Sequence, residues 1–96
     1  MRSLARNLIR DSRIRTTTAK AKELRPYVEK LVTRAKTATV ASRRLIQSRL
    51  MGAPEVKKLV DEIAPKYKER KGGYTRIVRL PNRDLDGSPM SLIEFV

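Results

Sequence analysis

The sequence contains no cysteine and no histidine, and it is short of acidic residues. The two missing residue types exclude disulfide bonds, Cys/His metal sites and the usual nucleophile–base pairs. No run of about 18 apolar residues occurs, so we expect no membrane-spanning helix. Asp61 and Glu62 are adjacent on a predicted helix and point in different directions, and Asp84 and Asp86 fall in a turn-rich segment. We therefore expect no active site, no metal ion and no cofactor.

Positive charge is what the sequence has in abundance. Its 96 residues include 23 Lys and Arg against 10 Asp and Glu, a formal net charge of +13. A compact chain at this charge repels itself, and a polyanion such as nucleic acid relieves the repulsion. Residues 1–54 hold 14 basic and 3 acidic residues, whereas residues 55–96 hold 9 and 7. The N-terminal half should therefore supply most of the attraction to nucleic acid.

The hydrophobic pattern predicts a helix, a strand, three helices and two strands, in that order. This order indicates one α+β domain over residues 1–96, with two layers in which a small sheet packs one face on the helices. In the third helix, the predicted inward positions are Ala41, Leu45 and Ile46. The predicted elements span residues 3–10, 13–17, 19–37, 40–51, 55–64, 74–80 and 90–96.

Proline and glycine interrupt this order at specific points. Pro26 lies inside the second helix and should kink or break it, because it removes one backbone hydrogen bond. Gly52 is predicted to cap the C-terminal end of the third helix. Pro65 is predicted to kink or stop the fourth helix. Between the last two strands, the sharpest turn is expected at Asp86-Gly87.

Arginines recur every four residues at Arg2, Arg6 and Arg10, and the row continues into Arg13 and Arg15. Guanidinium groups bind phosphates as planar forks and stack on bases. The alternative interpretation is a solvated helix face. Only one acidic residue lies nearby to balance the five arginines, which favours RNA as their partner.

The start of the second helix carries a further basic group, Lys20, Lys22 and Arg25. Cations in the first turns of a helix are unfavourable to its dipole, so phosphate binding accounts for them better than helix stability does. Thr16, Thr17 and Thr18 precede this group. Their hydroxyls either contact phosphate and ribose or cap the helix, and the sequence leaves both interpretations open.

The segment from Lys66 to Arg76 surrounds a Gly-Gly-Tyr sequence with basic residues. Glycine lets backbone amides approach a phosphate, and the ring of Tyr74 could stack on a base. The competing interpretation is a helix end at Gly73 followed by a core tyrosine, and for the glycines it is the favoured one. The complete set of predicted RNA-binding residues is Arg2, Arg6, Arg10, Arg13, Arg15, Thr16, Thr17, Lys20, Lys22, Arg25, Arg43, Arg44, Lys66, Arg70, Lys71, Gly73, Tyr74 and Arg76.

Several short segments through the chain carry a resemblance by their order and spacing. They are Arg6-Asn7-Leu8, Ile14-Arg15-Thr16-Thr17, Ala19-Lys20-Ala21-Lys22-Glu23-Leu24-Arg25, Ala35-Lys36, Arg43-Arg44-Leu45, Glu62-Ile63-Ala64-Pro65, Gly72-Gly73-Tyr74-Thr75-Arg76, Pro89-Met90 and Ile93-Glu94. In this order they resemble the bacterial-type large-subunit ribosomal protein seventeen, a family also found in mitochondrial and plastid ribosomes.

The resemblance implies a helix-rich α+β fold on the solvent side of the large subunit, near the exit of the peptide tunnel. It also implies contacts with large-subunit ribosomal RNA and with neighbouring ribosomal proteins. Family members usually begin with a strongly basic arm, which we expect this domain to lack. The Arg-rich first residues have the composition of a transit peptide, but the resemblance implies that they belong to the folded domain.

The predicted function is therefore structural, without a small-molecule substrate. The chain should stabilise large-subunit ribosomal RNA by neutralising charge where RNA helices meet, and should read shape, phosphate and 2′-hydroxyl groups. The expected location is the ribosome in the cytoplasm or, alternatively, in the mitochondrion. A free architectural protein that compacts DNA is the alternative function. An RNA-processing enzyme is disfavoured by the missing histidine and cysteine.

Overall fold

The order of the elements is the predicted one in a computed structural model that describes residues 1–37 and 39–96. The α+β class and the element order are confirmed. After the last α-helix the chain stays helical, first as a π turn and then as a 3-10 turn. The elements are α1 (Arg2–Asp11), β1 (Arg13–Thr17), α2 (Thr18–Ala35), α3 (Val40–Leu50), α4 (Ala53–Lys58), the π turn (Leu59–Ile63), the 3-10 turn (Ala64–Tyr67), β2 (Thr75–Leu80) and β3 (Met90–Phe95).

The three strands form one antiparallel sheet in the order β1-β3-β2. Ile14, Ile93 and Ile77 lie opposite one another in its register and belong to the hydrophobic core. Because side chains alternate between the two faces of a strand, these isoleucines define the face that packs on the helices. The sheet therefore forms one layer of the predicted two-layer architecture.

The other face of the sheet is open to solvent. It carries the row Arg13–Glu94–Arg76 and, one step further along, Arg15 beside Leu92. The three arginines are exposed, whereas Glu94 and Leu92 are half-buried. Strand β1 thus directs its two arginines away from the core, as the alternating pattern predicted.

Burial in α3 differs from the prediction at one position. Ile46 and Leu50 are fully buried, Leu45 is half-buried and Ala41 is exposed. Ile46 and Leu50 are four residues apart and share a helix face, whereas Ala41 and Ile46 are separated by about 140° around the helix axis. The prediction that Ala41 points inward was therefore wrong.

The end of α3 also differs from the prediction. Met51, not Gly52, adopts the left-handed conformation (φ 54°), and its N–H donates to the Gln47 carbonyl at 2.7 Å. Gly52 is extended and precedes the first residue of α4. A side-chain carbon at Gly52 would lie 2.5 Å from Glu55 Oε2 and 2.9 Å from Arg6 Nε. Gly52 is thus the N-cap of α4 and not the C-cap of α3, and the Glu55 and Arg6 side chains would have to shift to admit a larger residue.

The two helical prolines behave differently. Pro26 is exposed, and α2 continues through it as a single α-helix, so the predicted break does not occur. At Pro65 the helix does change. The Ala64 N–H donates to the Leu59 carbonyl in a π turn, and a 3-10 turn follows. Since Pro65 lacks an N–H and its ring would clash with the Asp61 carbonyl, a regular α-helix cannot continue here.

Gly73 leads from the last helical segment into β2 with a positive φ of 66°. Its N–H donates to Glu29 Oε1 at 3.2 Å, and an added side-chain carbon would meet no atom within 4 Å. Backbone conformation therefore favours glycine here. The helix end predicted at Gly73 was wrong, because the last helical turn ends at Tyr67. The left-handed turn at Asp86-Gly87 is confirmed, since Gly87 has φ 68°.

We expect Gly73→Ala to destabilise the free protein by about 1 kcal/mol, because alanine is strained at positive φ. Gly72→Ala is the matched control: Gly72 is the neighbouring glycine, with no positive φ and no atom near an added carbon. We expect this control to change the free energy of unfolding by less than about 0.5 kcal/mol. Chemical denaturation measures both variants, and equal stabilities would contradict the strain argument.

Candidate nucleic-acid interface

The junction between β1 and α2 presents four exposed basic side chains, Arg13, Arg15, Lys20 and Lys22, here called the junction cations. No ion pair among the described residues involves any of them. The strand passes into the helix without an intervening loop. These four charges are therefore carried by one continuous segment, and no carboxylate of the described residues holds them.

The backbone at this junction is held by the sheet. Thr17 is the N-cap of α2, and its hydroxyl accepts the Lys20 N–H at 3.4 Å. The Thr18 N–H donates to the Pro89 carbonyl at 3.0 Å, and the Thr18 and Ser91 hydroxyls are 2.7 Å apart. The junction cations thus project from an anchored segment, which lowers the entropy lost when they bind a partner.

The two threonines predicted to contact RNA are used within the protein fold, Thr17 as a helix cap and Thr16 as a buried strand residue. Capping is confirmed for Thr17, the interpretation that the sequence had left open. Thr16 is only 8% exposed and lies within β1, where it leaves little surface for a phosphate. A role of either hydroxyl in RNA binding stays a prediction.

Arg2 and Arg10, in the arginine row on α1, already contact other groups of the protein. Arg2 is exposed, but its Nε donates to the Arg49 carbonyl at 3.0 Å, near the C-terminal end of α3. Arg10 pairs with Asp11 at 3.1 Å, and the hydrogen bond from Arg10 lowers the pKa of the Asp11 carboxyl. Both side chains remain at the surface and keep unused N–H groups for a phosphate.

Arg6 departs further from the predicted row. Its Nε lies 3.7 Å from Glu55 Oε1, and the Glu55 side chain is mostly buried. Arg6 Nε and Glu55 Oε2 have no hydrogen-bond partner among the described residues, and Gly52 packs beneath both. The Arg6 side chain is still 40% exposed, so its binding to RNA stays a prediction, but its charge is balanced by a carboxylate far along the chain, at the start of α4.

Glu29 on α2 is an organising residue that sequence reasoning missed. Its Oε1 accepts the Gly73 N–H, and its Oε2 accepts from Thr75 Oγ1 at 3.0 Å and from Arg25 Nε at 3.2 Å. This carboxylate fastens the start of β2 to α2. Arg25, predicted to bind RNA, is thus engaged in a protein ion pair.

Tyr74 is completely buried, so the prediction that it stacks on a base was wrong. Its ring centroid lies 5.2 Å from that of Tyr67. The hydroxyl lies 3.3 Å from Thr33 Oγ1, accepts from Lys36 Nζ at 3.1 Å and donates to the Arg70 carbonyl at 3.2 Å. Tyr74 is a core residue, as the competing interpretation held.

The remaining residues predicted to bind RNA fall into two groups: some pair with a carboxylate, and the others form no ion pair among the described residues. Arg43 pairs with Asp61 at 3.2 Å, and Arg76 pairs with Glu94 at 2.6 Å. The rest are exposed and take part in no ion pair among the described residues: Arg44, Lys66, Arg70 and Lys71. They offer a second set of charges, separate from the junction cations in sequence.

Sequence reasoning also left out some exposed cations without a carboxylate partner among the described residues. Lys30 and Arg34 share a face of α2 at i, i+4 spacing, and this spacing was the signal that could have identified them. The others are Arg49, Lys57, Lys68 and Arg79.

The described part of the chain contains neither a group of metal ligands nor a membrane-spanning helix. No group of three or more candidate ligands there is arranged to hold a metal ion. None of its helices has the length and apolar character needed to cross a membrane.

Comparison with known proteins gives one consistent result. The family described as ribosomal protein L17 matches residues 1–96. The large ribosomal subunit protein bL17 of Sphingopyxis alaskensis is 54% identical over 95 residues, which cover 99% of this chain and 68% of that protein. The protein of the same name from a Sulfurihydrogenibium species is 54% identical, over 98% of this chain and 78% of its own length. That of a Hydrogenobaculum species is 50% identical, over 100% and 82%.

Proposed function

The chain belongs to the ribosomal protein L17 family of the large ribosomal subunit, and from this premise we propose that it binds large-subunit ribosomal RNA through its junction cations. Its relatives are structural proteins of the ribosome and not enzymes, and the same holds for this chain. The observation that carries the proposal is the set of exposed cations at the β1–α2 junction. They form no protein ion pair among the described residues.

The proposed mechanism is charge neutralisation by side chains on an anchored backbone. Arg13 and Arg15 offer planar forks that match two phosphate oxygens, and Lys20 and Lys22 offer point charges. None of these groups selects a base sequence, so recognition is by the shape and backbone of folded RNA. The exposed cations around Lys66 and Arg70 add a second phosphate contact.

The proposed position is near the exit of the peptide tunnel of a cytoplasmic ribosome, beside other large-subunit proteins. This position is supported by what the resemblance of the sequence to the L17 family implies. Sucrose-gradient sedimentation of a tagged copy from its own cell tests the assembly. We expect co-migration with the large subunit, and nuclease footprinting of those subunits then identifies the RNA that the chain covers. A chain found only in the free protein fractions would contradict the proposal.

We expect the affinity for ribosomal RNA to fall linearly with salt on a double logarithmic plot. With about six phosphate contacts, the slope should be around −4 to −5. Bound Lys and Arg release the counterions of the phosphates, and added salt opposes that release. Titrations at several salt concentrations measure the slope, and a slope near zero would exclude the electrostatic mechanism.

A further inference from the structure

The loop between β2 and β3 presents an apolar side chain to solvent. Leu85 at its tip is 97% exposed, more than any other large apolar residue that the structure describes. The loop is closed by two backbone hydrogen bonds. The Arg83 N–H donates to the Ser88 carbonyl at 2.9 Å, and the Gly87 N–H donates to the Arg83 carbonyl at 2.8 Å. Leu85 is therefore held out on a closed turn.

Side chains stabilise the same turn. Asp86 Oδ1 accepts the Ser88 N–H at 3.0 Å, and Asp86 Oδ2 lies 3.5 Å from Arg83 Nη1. The left-handed conformation of Gly87 lets the chain reverse without strain. A preformed loop loses little conformational entropy on binding. These contacts thus hold Leu85 in an exposed position, where it does not pack against the protein's own core.

The base of the loop continues into apolar surface on the open face of the sheet. Leu80 and Met90 lie opposite each other where the two strands meet the loop, and both are half-buried. Arg83 Nη2 reaches Met90 Sδ at 3.5 Å, so the loop packs against this end of the sheet. Apolar surface thus lies at the base of the loop, and Leu85, which is 97% exposed, projects separately from its tip.

The charge around Leu85 indicates which macromolecule fits this surface. Asp84 and Asp86 flank it and are exposed, in a chain whose net charge is +13. The backbone hydrogen bond from Ser88 lowers the pKa of the Asp86 carboxyl. Asp86 is paired with Arg83, whereas Asp84 forms no ion pair among the described residues. The unpaired carboxylate of Asp84 repels phosphate and attracts cations. The loop tip therefore suits a basic protein surface and not RNA.

We propose that Leu85 anchors a neighbouring basic protein of the large subunit, which receives the leucine in an apolar pocket and pairs a basic side chain with Asp84. The proposal rests on the proposed function for its setting in the large subunit. It adds a separate protein-binding surface. RNA binding through the junction cations does not require it.

The absence of cysteine allows a direct test with single thiols. Leu85→Cys and Lys22→Cys each introduce one reactive thiol, at the loop tip and among the junction cations. Both positions are exposed, so we expect both variants to fold. The rate of maleimide alkylation is measured in the free protein, in its complex with purified ribosomal RNA, and in large subunits from cells that carry the variant.

We expect the loop-tip thiol of Leu85→Cys to react equally fast in the free protein and the RNA complex. In the large subunit it should react roughly tenfold or more slowly, because a partner excludes water from it. Equal rates in all three samples, or protection by RNA alone, would overturn the proposal. Protection that grows with the concentration of the free protein would overturn it as well, since the partner would then be a second copy.

Lys22→Cys separates this proposal from the proposed function. Ribosomal RNA alone should protect the thiol of this variant, and failure there contradicts RNA binding at the junction whatever happens at the loop. A photo-cross-linker attached to a thiol at exposed Asn82 (Asn82→Cys) identifies the class of partner in the large subunit. A protease-sensitive adduct supports the proposal, and a ribonuclease-sensitive adduct overturns it.

Discussion

Replacing the four junction cations by glutamine will weaken binding to large-subunit ribosomal RNA by roughly 100-fold at ordinary ionic strength, because about four phosphates lose their protein counterions. The slope of log affinity against log salt should become shallower by about 3. Titration of wild type and variant with the same RNA, at several salt concentrations, measures both quantities. The variant combines Arg13→Gln, Arg15→Gln, Lys20→Gln and Lys22→Gln.

The folded state should tolerate this change. Glutamine is a good helix former, and removing Lys20 and Lys22 from the first turns of α2 relieves an unfavourable interaction with the helix dipole. We expect the melting temperature to stay the same or rise slightly. A large fall in melting temperature with unchanged RNA affinity would mean that the junction cations are structural.

The chain offers a control with the same loss of charge. Arg25, Arg43, Arg76 and Arg83 are each paired with a carboxylate in the folded protein. The arginine side chains of these pairs are exposed, and glutamine can still donate a hydrogen bond to each carboxylate, so replacing the four should leave the fold intact. We expect the control to lose much less RNA affinity than the junction variant. Equal losses would mean that net charge, and not position, determines binding.

Tyr74→Ala should destabilise the free protein by about 3–5 kcal/mol, because it empties a site in the core. The ring is completely buried against Tyr67, and the hydroxyl joins Lys36, just after α2, to the Arg70 carbonyl. Tyr74→Phe keeps the ring and leaves the partners of the hydroxyl unpaired, which should cost about 1–2 kcal/mol. Chemical denaturation measures both changes.

Tyr27→Phe is the matched control for the hydroxyl. Tyr27 is half-buried, and its hydroxyl donates to the Arg49 carbonyl at 3.2 Å, where water can replace it. We expect a loss of less than about 0.5 kcal/mol in this control. RNA titration of Tyr74→Phe should give wild-type affinity, since the ring does not reach the surface. Wild-type stability in Tyr74→Phe would contradict the role of the hydroxyl.

The element order was predictable because it depends on local patterns. The helical repeat of apolar residues in α1 and α2, and the alternation in β1, follow from the geometry of each element alone. The positive φ at Gly73 and the turn at Gly87 were predictable for the same reason, since they are properties of short segments. The candidate RNA-binding side chains were predictable only as a list of basic residues.

The tertiary structure decided which of those basic residues pair with a carboxylate and which do not, among the described residues. Glu55 lies far from Arg6 along the chain, and Glu94 far from Arg76, yet folding brings each pair together. No such carboxylate reaches Arg13 or Arg15 among the described residues. The physical reason is that a charge is neutralised by whatever packing places within a few ångströms of it, and packing joins segments that no local pattern relates. The net charge and the element order thus follow from the sequence alone. Which arginines keep an uncompensated charge depends on the tertiary structure, because α4 brings Glu55 to Arg6 and β3 brings Glu94 to Arg76.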